Sequence, residues 1–183
     1  IYGALQATSG HLFWRGRAVT IANPAAARAL GIVMVFQHFS LFDALTVTQN
    51  ISLALPPDVD ITTLAGRIET VSSDYGLPLR PDALVADLSV GERQRIEIVR
   101  CLLQEPRLLI MDEPTTSLDV TMEATILDLM VDLKQRKNTG ILYVSHNLGA
   151  VARVADRVAV MYAGQTIEQA PVGDLFKNPK HPY

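Results

Sequence analysis

The strongest constraint on the fold is a short apolar run, Leu108–Met111, that leads directly into Asp112 and Glu113. Two further apolar runs also lead into polar residues: 31–36 before Gln37, and 141–144 before Ser145 and His146. Runs of this length, bounded by polar residues, glycine or proline, are typical of buried strands. Segments with helical periodicity separate them, and this alternation predicts an α/β fold with a mainly parallel core sheet.

Composition narrows the class of protein without deciding it. The 183 residues are 49% hydrophobic, which is enough for one domain with a substantial core. A net charge of −3 provides neither the basic surface expected for nucleic acid binding nor a polybasic segment for lipid headgroups. The single cysteine, Cys101, cannot form an internal disulfide, so a reducing compartment is expected. The longest apolar runs are far too short to span a membrane, so any role at a membrane requires a partner.

The predicted organisation is one domain in which a helical segment interrupts the sheet. We expect an α/β core from residues 1–41 and 106–170, a helical subdomain from 42–105 inserted between two strands, and a tail from 171–183. Helices are predicted at 24–30, 47–54, 61–74, 90–104, 120–137 and 148–155, and a hairpin is predicted at 11–21. Ile1–Leu5 is typical of the end of a helix that began earlier, and a first residue other than Met indicates a fragment.

The start of the helix predicted at 90–104 is a candidate anion site. Ser89 and Glu92 have the spacing of a capping box. A helix N-terminus also presents free N–H groups and a partial positive charge. Capping alone explains Ser89 and Glu92, but it does not explain Gly91, because glycine inside a helix costs roughly 0.5–1 kcal/mol relative to alanine. Close approach of a phosphate to the backbone would explain Gly91.

The polar residues at the predicted strand ends match the chemistry of a nucleotide-phosphate site. Asp112 can hold Mg²⁺, usually through water, and Glu113 can polarise a water that attacks a phosphate. His146 can hydrogen-bond a γ-phosphate, and Gln37 can bridge Mg²⁺ and water. Each has a simpler interpretation: Asp-Glu-Pro can merely start a turn, a lone histidine is more often structural, and glutamine after a strand is usually a polar loop residue. Their occurrence at neighbouring strand ends favours the phosphate site.

Five short motifs together resemble those of the nucleotide-binding subunit of ATP-binding-cassette (ABC) transporters. They occur in the family's order: a Q-loop at Gln37, a signature motif at Leu88–Gln94, a Walker B strand at Leu108–Glu113, a D-loop at Ser117–Asp119 and a switch histidine at His146. The resemblance covers essentially the whole chain, and its specificity comes from the combination. Val90 stands where many members have glycine, as in some importer cassettes. The resemblance implies a P-loop NTPase-like, mainly parallel sheet core with a helical ABC-signature subdomain inserted.

The sequence departs from the family in one respect, because it contains no glycine-rich P-loop ending in Gly-Lys-Ser/Thr. In the family this Walker A motif directly precedes a helix whose end would resemble Ile1–Leu5. We therefore expect the Walker A lysine, one Mg²⁺ ligand and the aromatic residue that stacks on adenine to lie upstream of residue 1. The alternative is a degenerate protein without the P-loop, which the intact Asp112, Glu113 and His146 disfavour.

The resemblance implies a cassette that binds ATP and Mg²⁺ and works as a homo- or heterodimer with a second ABC ATPase subunit. Glu113 would be the general base and His146 the γ-phosphate switch, while Asp112 and Gln37 would serve the Mg²⁺ ion. The signature motif would contact the ATP held by the other subunit, and the D-loop would link the two sites. The residues concerned are Ser89, Gly91 and Gln94 in the signature motif and Asp119 in the D-loop.

The resemblance also implies partners and a location. Membrane-spanning permease subunits would bind the cassette at the cytoplasmic face of the cell membrane, and no nucleic acid partner is expected. Phe39, Leu41 and Phe42 are candidate contacts with the permease, although internal packing would explain them equally well.

The motifs indicate the family more clearly than they indicate the transported cargo. The segments around Gln37 and Ser89 resemble sugar or nucleoside importer cassettes, whereas Asp119–Thr121 and the tail 175–183 resemble oligopeptide, dipeptide and nickel importers. We expect import of peptide/nickel-like or sugar/nucleoside-like cargo. Two alternatives stay open: a non-transport ABC ATPase of translation or DNA repair, and a fragment that binds a partner without hydrolysing ATP.

Overall fold

The computed structural model describes residues 1–116 and 118–182, with Arg136 described by its backbone alone. Ser117 of the predicted D-loop and Tyr183 of the tail lie outside the described residues. Within the described ranges, no helix combines the length and the apolar character that crossing a bilayer requires.

The strands of the described ranges form three sheets. A parallel sheet with the strand order β3-β4-β5 is central, and each of the other two is an antiparallel pair. The strands are β1 Leu12–Trp14, β2 Arg17–Val19, β3 Ile32–Val35, β4 Leu108–Asp112, β5 Gly140–Val144, β6 Arg157–Tyr162 and β7 Gln165–Pro171. The predicted parallel core is confirmed.

The register of the central sheet makes its three strands end together. Val35 of β3 pairs with Met111 of β4, and Met111 pairs with Tyr143 of β5. The central strand β4 is buried from Leu109 to Met111, because strands flank it on both sides. Polar residues that follow β3, β4 and β5 therefore lie at one edge of the sheet.

The helices lie close to the predicted positions. They are α1 Pro24–Ala29, α2 Val47–Ser52, α3 Ile61–Asp74, α4 Val90–Leu102, α5 Val120–Lys137, α6 Leu148–Val154 and α7 Val172–Lys177, with a 3₁₀ turn at Val85–Asp87. Side-chain oxygens of Asn23, Thr46, Asp60, Ser89, Asp119 and Asn147 cap the first six of these helices. The helix starts therefore follow from local hydrogen bonds, and the residue types that make these bonds can be recognised in the sequence.

One hydrophobic core joins the parallel sheet to the helices of the segment 42–105. It combines Val33 and Leu109 of the sheet with Ile51, Ile68 and residues of α4 and α5. A second, smaller core lies where α1 and the β1–β2 hairpin pack against the central sheet. The division into a core part and a helical subdomain stays a prediction, because the buried residues of both parts form one cluster.

The first residues differ from the expectation. Ile1–Leu5 is not helical, and Gly3 has a φ of +84° with its Cβ position only 2.6 Å from the backbone of Asn23. That close approach requires glycine at position 3 and is incompatible with a helix there.

The hairpin predicted at 11–21, for which Arg15–Arg17 would be the turn, is confirmed with a tighter turn. Arg15 and Gly16 have positive φ values of 52° and 76°, which a two-residue type I′ turn requires at both positions. Arg17 consequently belongs to β2 rather than to the turn.

Candidate functional site

The parallel strands bring the predicted strand-end residues to one edge of the sheet. Asp112 is the last residue of β4 and lies opposite Val144 of β5. Glu113 follows it directly, His146 lies two residues beyond β5, and Gln37 lies two residues beyond β3. All four therefore lie at the carboxyl edge, where open α/β sheets bind ligands.

Glu113 and His146 are in direct contact. Glu113 Oε1 accepts a hydrogen bond from the His146 backbone N–H at 3.1 Å and lies 2.7 Å from His146 Nδ1. The other oxygen, Oε2, accepts from the Thr116 hydroxyl at 2.8 Å. Glu113 also has a φ of 48°, a left-handed conformation that residues other than glycine rarely adopt. The surrounding hydrogen bonds thus hold this carboxylate in one orientation.

The electrostatics of the contact favour an ionised Glu113. Burial raises its pKa, but hydrogen bonds from His146 and Thr116 and the charge on His146 lower it by more, so the pKa lies below the ordinary 4.5. The His146 side chain is 79% exposed and the Glu113 side chain 18% exposed. A carboxylate of this kind can accept a proton from water once one of its donors releases an oxygen.

Asn147, which the sequence argument missed, connects this contact to α5. Its Nδ2 donates to Glu123 Oε1 at 3.0 Å, and its Oδ1 accepts from the Ala150 N–H at 3.2 Å as the N-cap of α6. The residue directly after His146 is therefore anchored to two helices. The capping half of this role was detectable, because asparagine at a predicted helix start is a capping signal.

The predicted capping box at the start of α4 is confirmed. Ser89 Oγ accepts from the Glu92 N–H at 3.3 Å and donates to Glu92 Oε2 at 2.8 Å. Glu92 Oε2 also accepts from the Ser89 backbone N–H at 2.9 Å, and this bond is the main reason why the pKa of Glu92 lies below its ordinary value. The Ser89 hydroxyl proton is thus engaged with Glu92 and must be released before Ser89 can donate to a ligand.

Gly91 lies in the first turn of α4, beside the start of α5. A Cβ at Gly91 would lie 3.9 Å from the Met122 side chain, an ordinary contact, so packing does not require glycine there. Asp119 caps α5 by accepting from the Met122 N–H at 2.9 Å. The signature turn and the D-loop residue therefore share Met122 as a neighbour.

Gln94 lies inside the molecule rather than at the surface. It is 4% exposed, and its Nε2 has no hydrogen-bond partner within the described part of the chain. The side chain is buried in this conformation, and its role in nucleotide binding stays a prediction.

The three candidate permease contacts differ in how far they are buried. Leu41 packs against the main core, which supports the packing explanation for that residue. Phe42 is 61% exposed and Phe39 is half-buried. Phe42 is therefore the one whose surroundings leave most of its ring available to a partner.

The donors at the sheet edge suit a Mg²⁺ ion that is shared with phosphate. Among the described residues, no group of three or more His, Cys, Asp or Glu side chains is placed to hold a metal. Mg²⁺ in phosphate sites typically takes one or two protein oxygens and completes its shell with water and phosphate. The half-buried Asp112 carboxylate and the exposed Gln37 amide are donors of this type.

Comparison with known proteins shows what the chain is similar to. The family model described as "ABC transporter" matches residues 1–116. The oligopeptide transport ATP-binding protein OppD of Bacillus subtilis is 50% identical over 163 residues, which are 85% of this chain and 46% of that protein. The nucleoside import ATP-binding protein NupA of Lactococcus lactis subsp. cremoris is 38% identical over 178 residues, which are 94% of this chain and 35% of that protein. The chain thus spans about half the length of the OppD relative and about a third of NupA.

The fold has a close counterpart among solved structures. The structure of cbiO1 from Clostridium perfringens, part of the ABC transporter complex cbiONQ, superposes with a TM-score of 0.79 at 27% identity. The match covers 97% of this chain and 72% of that chain. The predicted fold class, a P-loop NTPase-like parallel sheet with a helical signature part, is confirmed.

Proposed function

Because this chain belongs to the ABC transporter family, we propose that it acts as an ATP-hydrolysing subunit that powers substrate import. The observation that carries the proposal is the contact between Glu113 and His146 at the ends of two adjacent parallel strands. An ionised carboxylate beside an exposed imidazole, at the ligand-binding edge of an α/β sheet, suits activation of a water for attack on a phosphate.

In this proposal Glu113 is the general base, and His146 controls when it acts. While His146 donates to Glu113 Oε1, the carboxylate has a lowered pKa and no free place for a water on that oxygen. When the imidazole turns to a γ-phosphate instead, Oε1 keeps only the His146 backbone N–H as a donor, and the pKa of Glu113 rises towards its ordinary value. The same movement therefore creates both a place for the water and a stronger base.

ATP and Mg²⁺ are the proposed ligands. When bound, Mg²⁺ would neutralise charge that develops on the transferred phosphoryl group. Asp112 would hold the ion, usually through water, and the Gln37 amide oxygen would bridge the ion and the attacking water. Both residues stand beside Glu113 at the carboxyl edge, which supports this assignment.

We propose that the active unit is a dimer with a second ABC ATPase subunit. The first turn of α4 would contact the ATP held by the other subunit, through Ser89 and Gly91, with Gln94 as a further predicted contact. Asp119 would link the two sites, and the contacts that both Asp119 and the Gly91 position make with Met122 support such coupling. Glycine at position 91, which packing does not require, supports a close approach of phosphate to the backbone.

The proposed physiological partners are membrane-spanning permease subunits, which would hold this chain at the cytoplasmic face of the membrane. The exposed ring of Phe42 is a proposed contact. Peptide-like cargo is the first proposal because the OppD relative has the higher identity, and nucleoside-like cargo is the second because of NupA.

The test uses the chain fused, in front of Ile1, to the segment that precedes the matched region in Bacillus subtilis OppD. We call this protein the extended chain. It should release phosphate from ATP in the presence of Mg²⁺, and Glu113→Gln should reduce the rate by about 10²–10⁴-fold while ATP binding is kept. Glu69→Gln, on the exposed side of α3, is the matched control and should leave the rate unchanged.

Hydrolysis that survives Glu113→Gln would contradict the assigned base. Transport is tested separately, by reconstituting the extended chain with the permease subunits that accompany Bacillus subtilis OppD and comparing uptake of a labelled oligopeptide and a labelled nucleoside. Hydrolysis without uptake of any cargo would favour a non-transport ABC ATPase, and no hydrolysis in the parent extended chain would favour a non-hydrolysing partner protein.

A further inference from the structure

Helix α4 contacts both the end of β3 and the loop that follows it, residues 36–41. Cys101 Sγ lies 3.5 Å from the Met34 carbonyl oxygen. Glu97 Oε1 accepts a hydrogen bond from the Ser40 N–H at 2.8 Å, and Arg100 Nη1 donates to the Ser40 carbonyl oxygen at 3.2 Å. Helix α4 therefore contacts the end of β3 at Met34 and holds the loop that follows it at Ser40.

The second attachment includes a buried charge. Glu97 is 0% exposed, and its Oε2 accepts a hydrogen bond from Arg100 Nη2. Burial raises the pKa of Glu97, and the charge of Arg100 opposes that effect. Placing such a pair inside a protein costs desolvation energy that apolar residues of similar size would avoid. Packing therefore gives no reason for the pair in a helix segment whose buried neighbours, Ile96 and Ile98, are apolar.

We propose that Glu97 and Arg100 are positioning residues that fix the Gln37 loop to α4, so that the loop moves together with the first turn of α4. Each side chain holds one backbone group of Ser40, and together they set the position and the orientation of that residue. We call Glu97, Arg100 and the two backbone groups of Ser40 the Ser40 clamp.

The consequence for the metal site rests on the proposed function. Gln37 is exposed and lies three residues before Ser40, where the clamp holds its loop. The clamp would hold the Gln37 amide at the distance from Asp112 that a shared Mg²⁺ ion needs. The mechanical link itself does not depend on any ligand.

A second ion pair in the same region provides the control. Arg93 Nη1 lies 2.7 Å from Asp43 Oδ1 and also joins α4 to the segment after β3, but the Asp43 side chain is 64% exposed. Exposed pairs of this kind contribute little to stability. Asp43→Asn thus removes a charge pair between the same helix and the same segment without touching the clamp.

Hydrogen exchange on the 183-residue chain tests the link directly. Glu97→Gln keeps the side-chain shape but removes the charge, and Arg100→Lys keeps the charge but loses the planar fork that reaches Glu97 and Ser40 together. Each should accelerate amide exchange in residues 36–41 by about tenfold or more and leave exchange in α3 unchanged. Asp43→Asn should leave exchange in 36–41 at the parent rate. Unchanged exchange in 36–41 would overturn the proposal, because the pair would then have no role in holding the loop. Equal acceleration in α3 would also overturn it, because the pair would then stabilise the fold in general.

Mg²⁺ titration of ATP hydrolysis in the extended chain tests the consequence. Glu97→Gln should raise the Mg²⁺ concentration for half-maximal rate by about threefold or more, with kcat at saturating Mg²⁺ within about twofold of the parent. If Glu97→Gln accelerates exchange in residues 36–41 but leaves the Mg²⁺ requirement unchanged, the clamp stands and its proposed consequence for the metal site is overturned. If the parent extended chain does not hydrolyse ATP, the proposed function fails, and the exchange experiment still decides whether the clamp exists.

Discussion

The side-chain amide of Asn147 donates a hydrogen bond to the Glu123 carboxylate at 3.0 Å, and this contact joins the loop after β5 to the first turn of α5. Because Asn147 follows His146 directly, the contact restrains the backbone that carries the His146 ring. It also lies within one helical turn of Asp119, whose carbonyl oxygen accepts from the Glu123 N–H at 2.9 Å.

Two substitutions of Asn147 should separate its two roles. Asn147→Ser keeps an N-cap for α6 but is too short to reach Glu123, whereas Asn147→Ala loses both contacts. We expect both to slow ATP hydrolysis by the extended chain, and only Asn147→Ala to lower the free energy of unfolding, by about 1 kcal/mol. Phosphate release and urea unfolding measure the two effects. Asn178→Ala, at an exposed position, is the control, and hydrolysis at the parent rate in Asn147→Ser would refute the link to Glu123.

Gly91 and Gly66 provide a matched pair of helical glycines. Gly91 lies in the first turn of α4 with only Met122 nearby, and Gly66 lies in α3 with nothing within 4 Å of its Cβ position. Alanine at either position should raise the free energy of unfolding by about 0.5–1 kcal/mol, because both sites are helical and have space for a methyl group. Only Gly91→Ala should reduce ATP hydrolysis by the extended chain, since only there would a methyl group meet a phosphate. Equal rates in the two variants would show that Gly91 has no ligand role.

The lowered pKa of Glu113 predicts a pH dependence of stability. The unfolded chain has the ordinary pKa of 4.5 and the folded chain a lower one, so the stabilisation is fully present above pH 4.5 and is lost as the pH falls through the folded value. The difference in unfolding free energy between the parent and Glu113→Gln should therefore shrink as the pH is lowered from neutral to about 3. Urea unfolding across this range measures it. A difference for Glu113→Gln that stays constant would contradict the assigned coupling to His146.

The 183-residue chain alone should not bind ATP tightly in a Mg²⁺-dependent manner, because its sequence contains no Gly-Lys-Ser/Thr loop to surround the phosphates. Isothermal titration calorimetry should give no saturable heat at micromolar ATP, whereas the extended chain should titrate under the same conditions. Micromolar affinity of the unextended chain would mean that the nucleotide is held by residues other than the predicted ones.

Elements with strong local signals were predictable from the sequence. Helix α3 has the predicted bounds, 61–74, because Asp60 caps it and its apolar residues follow one helical face. The strand β4 and the capping box of α4 followed from equally local patterns. The convergence of Gln37, Glu113 and His146 followed from one topological rule, that parallel strands end at the same edge of a sheet.

Features that depend on distant contacts were not predictable in the same way. The Ser40 clamp joins residues 57 and 60 positions apart, and no periodicity marks such a pair. Gln94 illustrates conflicting signals. Its place in the signature motif suggested a ligand contact, but it lies four residues before the buried Ile98, and helical periodicity places both on the same inward face. The structure follows the periodicity.

The burial of Cys101 has a practical consequence for labelling. Burial raises the pKa of its thiol to about 12, and its Sγ lies against the Met34 carbonyl oxygen. Since the thiolate is the reactive form, maleimide and iodoacetamide reagents should leave this cysteine unmodified in the folded protein. A single cysteine introduced at the surface can then carry a fluorophore or spin label without prior removal of the native thiol, and Cys101 becomes an internal reporter whose labelling signals unfolding.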